Sequence, residues 1–225
     1  MSTFRQEFIE FAIHNHALCF GQFKTKAGRL SPYFFNAGLF NNGLALQLLG
    51  QYYARTILES TISFDGLFGP AYKGIPLVST IAITLAQSGY NHSFSFNRKE
   101  IKDHGEGGDI IGAPLAGRIL IVDDVISAGI SVKQSVDIIN AAGAVPCGIA
   151  IALDRMERGD GQLSAIQEIE HNYDIPVISL INLNDITSYL HTQPDLAQHL
   201  ADIETYHARY GISQADKVFT ADSDQ

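Results

Sequence analysis

The chain reads as an α/β protein, a central parallel sheet flanked by helices, and three observations predict it. Strand-length apolar runs such as Ile119–Val122 and Ile149–Leu153 alternate with segments of helical periodicity. Repeated strand–helix units favour a parallel sheet covered on both faces. Clusters of acids, cations and small residues fall at the ends of those runs, and ligands in such sheets bind at the carboxyl ends of strands.

The elements follow in order. Phe4, Phe8, Phe11 and Ala12 recur at helical spacing and predict an amphipathic helix over about 3–18. Residues 19–43, rich in Gly, Asn and aromatics, read as short strands and turns, and Leu44, Leu48, Tyr52 and Ile57 support a helix over 43–59. Leu67-Phe68-Gly69 ends a strand, and the turn Pro70–Gly74 leads into a helix reaching about Ser88. Ser93–Asn97 is a short strand, and residues 98–116 read as a Gly-containing loop with its charge concentrated at the start. Strand 118–122, helix 130–142, strand 146–153, helix 162–172 and strand 177–181 follow, and helical segments finish near 210. No repeat or long linker divides the chain. The expectation is one domain over 1–214 and a polar, frayed tail over 215–225.

Composition bounds the function. At 46% hydrophobic and 17% charged residues, the chain suits a globular core and excludes global disorder. Its longest apolar runs fall far short of a membrane span, and the N-terminus lacks a basic region followed by an apolar run. With Cys19 and Cys147 as the two thiols, free cysteines and a cytoplasmic location are expected. A net charge of −9 disfavours nucleic acid and anionic lipid as partners. Against that background Lys24, Lys26 and Arg29, and Arg98, Lys99, Lys102 and His104, suggest a small polyanionic ligand.

The most informative stretch is Ile121–Ser131, IVDDVISAGIS. An apolar strand ends in Asp123 and Asp124, a small-residue turn follows, and a helix begins with Val132, Val136 and Ile139. A helix N-terminus after such a turn accepts phosphate, and the acids can hold sugar hydroxyls or a metal. The plainer reading of the acids is as helix caps. A phosphorylated sugar as substrate fits the combination better.

IVDDVISAGIS resembles the phosphoribosyl pyrophosphate (PRPP) motif of type I phosphoribosyltransferases. Further segments resemble those of the orotate phosphoribosyltransferases within that family. FNRKEIKDHGEGG (96–108) resembles their flexible catalytic loop, and GRLSPYFFNAGLF (28–40) their orotate-side segment. FGPAYKGIP (68–76) resembles the pyrophosphate-side loop and LDRMERG (153–159) the base-side strand end. The resemblance runs in order to about residue 212. It implies the type I fold with a small hood supplied largely by the N-terminal ~40 residues.

It also implies an enzyme joining orotate and PRPP into orotidine 5-monophosphate and pyrophosphate with Mg²⁺. Asp123 and Asp124 would hold the ribose hydroxyls, and the turn Val125, Ile126, Ser127, Ala128, Gly129, Ile130 and Ser131 would wrap the 5-phosphate. Tyr72, Lys73, Arg98, Lys99, Lys102 and His104 would face the pyrophosphate, Tyr72 mainly through its backbone. Lys26 would lie near both substrates, Phe34 and Phe35 would pack on the orotate ring, and Ser127 and Arg155 would contact its polar groups. Lys102, Lys26, Asp123 and Asp124 would carry catalysis. Mg²⁺ would be held mainly through PRPP, with Asp123 or Asp124 reached through water. A homodimer with shared sites is implied, Lys102 reaching into the partner's site. Ile130 stands where the family often has Thr, which leaves phosphate binding to backbone amides and Ser131; Ser127 replaces a frequent Thr but keeps the hydroxyl.

Two rivals share some of these residues. A phosphoribosyltransferase for another base needs Asp123-Asp124 but not Lys26, Phe34-Phe35 or Arg155. A PRPP-sensing regulator that binds nucleic acid needs a basic face, against the charge of −9.

Overall fold

A computed structural model describes residues 2–25, 28–100, 109–127, 129–159 and 161–212. Helix α1 (Thr3–His14) is shorter than its periodicity suggests. The Asn15 side chain donates to the Phe11 carbonyl at 2.9 Å and His16 turns at φ 56°, which closes the helix before strand β1 (Leu18–Lys24). Strand β1 pairs antiparallel with β2 (Leu30–Phe35), and this hairpin stands apart from the central sheet. Helix α2 (Gly43–Glu59) has the expected bounds, its first turn capped by the Asn42 side chain accepting from Ala45 N–H at 2.9 Å.

The central sheet contains β3 (Gly66–Gly69), β4 (Ser93–Asn97), β5 (Ile110–Gly112), β6 (Arg118–Val122), β7 (Val145–Asp154) and β8 (Val177–Asn182). Helices α3 (Gly74–Gln87), α4 (Ile130–Ala141), α5 (Ala165–Tyr173), α6 (Leu183–Leu190) and α7 (Ala197–Tyr210) complete the fold. Strand order is β5-β4-β3-β6-β7-β8. Five strands run parallel, but β5 is antiparallel to β4, so the sheet is mixed and part of the expected 98–116 loop is strand. Three residues are too few to show a period. Gly112 gives the structural reason: at φ 102° a Cβ would meet the Phe94 carbonyl, so glycine permits the close approach of this edge strand.

Alternation along each strand divides the core between the two faces. Leu67, Leu120 and Val122 point to a face filled by Phe8 and Ile9 of α1, Tyr53 of α2, and Val78 and Ile81 of α3. Phe68, Ile119 and Ile121 point to the other, against Val132, Val136 and Ile139 of α4 and Ile169 of α5. Both faces being buried, the strands read in sequence as unbroken apolar runs.

The topology also sets where a ligand can enter. From β3 the chain passes through α3 to β4 on one side, whereas β6 leads through α4 to β7 on the other. The carboxyl ends of β3 and β6 therefore flank a topological switch point, the usual crevice of an open α/β sheet. The β3–α3 turn is exceptionally close there: a Cβ on Gly69 would run into the Gly74 carbonyl and the Val78 Cβ at 2.8 Å. Gly69→Ala should lower the stability of the fold by about 1–3 kcal/mol through this overpacking, measured as a shift in the urea midpoint. An unchanged midpoint would refute the close-packed turn.

Candidate active site

The two acids at the end of β6 are the fixed point of the site. Asp123 and Asp124 are 8% and 6% exposed. Their backbone stays tied to β7: Asp123 N–H donates to Ala150 O at 3.0 Å and Asp124 O accepts from Ala152 N–H at 2.9 Å. On the other side the fully buried Tyr53 hydroxyl donates to Asp123 O at 2.8 Å. These bonds clamp the two residues between α2 and β7.

The carboxylates do not cap α4, which opens at Gly129 without a side-chain cap; they bond to the turn and to Lys73 instead. Asp123 Oδ1 accepts from Asp124 N–H at 2.8 Å, Asp123 Oδ2 from Ser131 Oγ at 3.0 Å, and Asp124 Oδ1 from Val125 N–H at 2.9 Å. Those contacts hold the turn in shape. Asp124 Oδ2 receives Lys73 Nζ at 2.8 Å, an ion pair across the switch point from a lysine whose side chain is half exposed. Two buried carboxylates beside a cation on the neighbouring loop form a site that can take up several hydroxyl groups and an anion together.

The turn after the acids divides its side chains. Val125 packs against the core and pairs as a lone β-bridge with Leu153, and Ile126 is 7% exposed within the α4-side core. Anything these two offer a ligand comes from the backbone. Ser127 is exposed, and Gly129 adopts φ 67° and opens α4 without a side-chain cap. The first N–H groups of α4 thus face whatever lies before the helix, an arrangement suited to phosphate. Ile130 is 65% exposed and contributes no polar group; Ser131 is held on Asp123.

The pyrophosphate-side residues are partly assembled. Tyr72 Oη donates to Glu100 at 2.8 Å and Lys99 Nζ lies 4.8 Å over its ring, so this side chain has a defined place that sequence left undecided. Arg98 N–H donates to Asp109 O at 2.7 Å at the end of β4. Lys26, Lys102, His104 and Ala128 lie outside the described residues.

On the base side the two phenylalanines part company. Phe35 is 4% exposed and belongs to the hydrophobic core, because successive strand residues face opposite ways. Its expected place on the orotate ring is therefore corrected to a packing role. Phe34 is 43% exposed and stacks on Phe23 with centroids 5.5 Å apart, leaving an aromatic surface for a flat ligand. Arg155, at the end of β7, is held by a network that sequence did not reveal. Its Nε and Nη2 donate to Glu157 Oε1 at 3.0 and 2.6 Å, Nη2 also reaches Ser31 Oγ at 3.0 Å, and the guanidinium lies 4.3 Å over the Tyr33 ring. Glu157 alone could have been suspected, two residues from a strand-end arginine; Ser31, Tyr33 and Tyr53 carry no such signal.

Comparison with known proteins decides the family. Residues 39–173 match the model of the Phosphoribosyl transferase domain. An orotate phosphoribosyltransferase of Nitrosomonas europaea is 67% identical over 218 residues, 97% of this chain and 96% of that protein. The chain belongs to the orotate phosphoribosyltransferase family. The orotate phosphoribosyltransferase of Thiobacillus denitrificans is 58% identical over 212 residues, covering 94% of this chain and all (100%) of that one. In structure, orotate phosphoribosyltransferase of Francisella tularensis matches with a TM-score of 0.82 at 39% identity, across 91% of this chain and 99% of the other. The fold is thus the type I phosphoribosyltransferase fold, with the mixed sheet described above.

Metal binding in this orotate phosphoribosyltransferase fold has a limited donor set. Among the described residues no cluster of three or more His, Cys, Asp or Glu could hold an ion. Asp123 and Asp124 nevertheless fit Mg²⁺, which takes one or two carboxylates and completes its shell with water and substrate oxygens.

Burial first, and then the neighbouring Asp124 carboxylate, push the Asp123 carboxyl up to about 6 from its ordinary 3.8. The folded protein therefore holds this proton more tightly than the unfolded chain. That contribution to stability is complete below 3.8 and is lost as pH rises through about 6. Ionised Asp123 should cost the ligand-free fold about 1–3 kcal/mol at neutral pH. Asp123→Asn should accordingly raise Tm at pH 8 in metal-free buffer and change it little at pH 4. Equal shifts at both pH values would contradict this electrostatic account.

Proposed function

We propose that the chain transfers ribose 5-phosphate from PRPP to orotate, giving orotidine 5-monophosphate and pyrophosphate in pyrimidine biosynthesis. The observation that carries the reading is the Lys73–Asp124 pair joining the two loops of the switch point, in a chain so close to orotate phosphoribosyltransferases along its length.

The residues suggest how the reaction proceeds. PRPP lies with its 5-phosphate at the N-terminus of α4, cradled by the backbone of 125–131 and Ser131, and with its ribose hydroxyls on Asp123 and Asp124. Departure of pyrophosphate leaves positive charge on the anomeric carbon, and the paired carboxylates beneath it stabilise that charge where it forms. Lys73, Arg98 and Lys99, with Lys102 and His104, neutralise the leaving group. Bound Mg²⁺ would add charge neutralisation on the pyrophosphate oxygens, held through PRPP and by Asp123 or Asp124 through water. Phe34 offers its face to the pyrimidine; Arg155, Ser127 and Lys26 meet its polar groups. Lys26 and Lys102 join Asp123 and Asp124 as the catalytic set.

In this reading residues 1–214 act as one unit with the β1–β2 hairpin in its hood, followed by a polar tail over 215–225. The enzyme works as a cytoplasmic homodimer whose partner supplies Lys102. No helix among the described residues is long and apolar enough to cross a membrane.

Pure protein mixed with orotate, PRPP and Mg²⁺ should deplete orotate's ultraviolet absorbance. Turnover of a purine base in place of orotate would overturn the assignment. Lys102→Ala should reduce turnover by about 100-fold or more while leaving Tm within about 2 °C. Mixed dimers of Lys102→Ala with Asp124→Asn, each inactive alone, should recover activity if the sites are shared; no recovery counts against the shared site.

A further inference from the structure

The most elaborate buried polar cluster of the described residues lies behind Arg155, away from the PRPP acids. Its centre is Glu157, whose side chain is 13% exposed. Oε1 accepts from both Arg155 nitrogens and from Tyr33 Oη at 3.2 Å, and Oε2 accepts from Tyr206 Oη at 3.1 Å, with Arg29 Nη1 4.0 Å away. These partners come from three separate parts of the chain: β2 and the hairpin turn before it, the end of β7, and α7. The hydrogen bonds of Arg155 to Glu157 and Ser31 use Nε and Nη2.

The backbone is arranged for the same end. Met156, between Arg155 and Glu157, takes φ 51°, a left-handed conformation uncommon for a side chain of its size, while that side chain is 1% exposed. Its carbonyl accepts from Ile212 N–H at 3.0 Å, and Arg158 N–H donates to Tyr210 O at 2.8 Å. Arg29 Nη1 binds the Arg158 carbonyl at 2.9 Å and its guanidinium lies 4.8 Å over the Tyr210 ring. Hairpin, strand end and last helix are welded together around one carboxylate. A buried arginine without a partner would be costly, and a fully paired one is locked in orientation.

We infer that Glu157 and Tyr206 are positioning residues for orotate recognition. They hold the Arg155 guanidinium in one orientation toward the base, and they make α7 part of the base-binding apparatus. The inference rests on the reading that Arg155 contacts orotate.

The test measures KM for orotate, KM for PRPP, kcat and Tm in the full-length chain. The variants are Arg155→Met, Glu157→Gln, Tyr206→Phe and the Arg155→Met/Glu157→Gln double. Glu157→Gln should raise the orotate KM about tenfold, and Tyr206→Phe about threefold, with the PRPP KM and kcat changed less than about twofold. In the Arg155→Met background Glu157→Gln should add nothing further to the orotate KM. A fall in Tm with the orotate KM unmoved, or the same fold-effect with and without Arg155, would overturn the positioning role. If Arg155→Met itself leaves the orotate KM unchanged, the contact between Arg155 and orotate fails and the inference falls with it. An effect of Arg155→Met with none from Glu157→Gln or Tyr206→Phe would sink the positioning role alone. Should Glu157→Gln not fold, Tyr206→Phe decides, because it keeps the ring and removes one hydroxyl.

Discussion

Two carboxylates side by side at the end of a buried strand repel each other and resist burial, and the rest of the site is organised around holding them there. The raised Asp123 carboxyl records that tension. Three restraints oppose it: the β7 backbone, the Tyr53 hydroxyl behind the pair, and Lys73 in front. Tyr53 belongs to α2, Lys73 to the turn into α3, and the β7 bonds to the sheet itself. Much of the α/β core therefore serves to place one concentration of negative charge beside the uncapped start of α4. A substrate that develops positive charge between phosphate groups is complementary to that arrangement.

The base side is built on the opposite principle. There the charge is compensated before a ligand arrives, since Arg155 is saturated on one edge by Glu157 and Ser31. At the end of β6 two carboxylates share one lysine, whereas at the end of β7 one guanidinium is matched by one carboxylate.

The fold was legible wherever periodicity extended over several residues: α2 has its predicted bounds, and β4 and β6 were read to the residue. Strand β5 was missed because its three residues owe their pairing to a glycine's close approach to Phe94, a tertiary fact. The end of α1 was misplaced because Asn15 and His16 close the helix by local hydrogen bonding and a positive φ, which hydrophobic spacing does not report. Around the acids, the strand end, the glycine turn and the helix start are contiguous in sequence and so were legible together, whereas the pairing of Lys73 with Asp124 spans 51 positions and was not. Phe34 and Phe35 are adjacent and alike in composition, so only the strand's orientation separated the exposed ring from the core one. The Glu157 network joins residues as far apart as Arg29 and Tyr206, so beyond the local Arg155–Glu157 pair sequence spacing does not report it.

Asp123 and Asp124 are proposed to act together on the ribose of PRPP. The most direct test of that joint action is turnover of orotate with PRPP and Mg²⁺ by the Asp123→Asn/Asp124→Asn double variant, alongside its melting temperature. The double variant should lose about 100-fold or more in kcat while its fold stays at least as stable as the parent's at pH 8. Turnover near that of the parent in a normally folded double variant would contradict it.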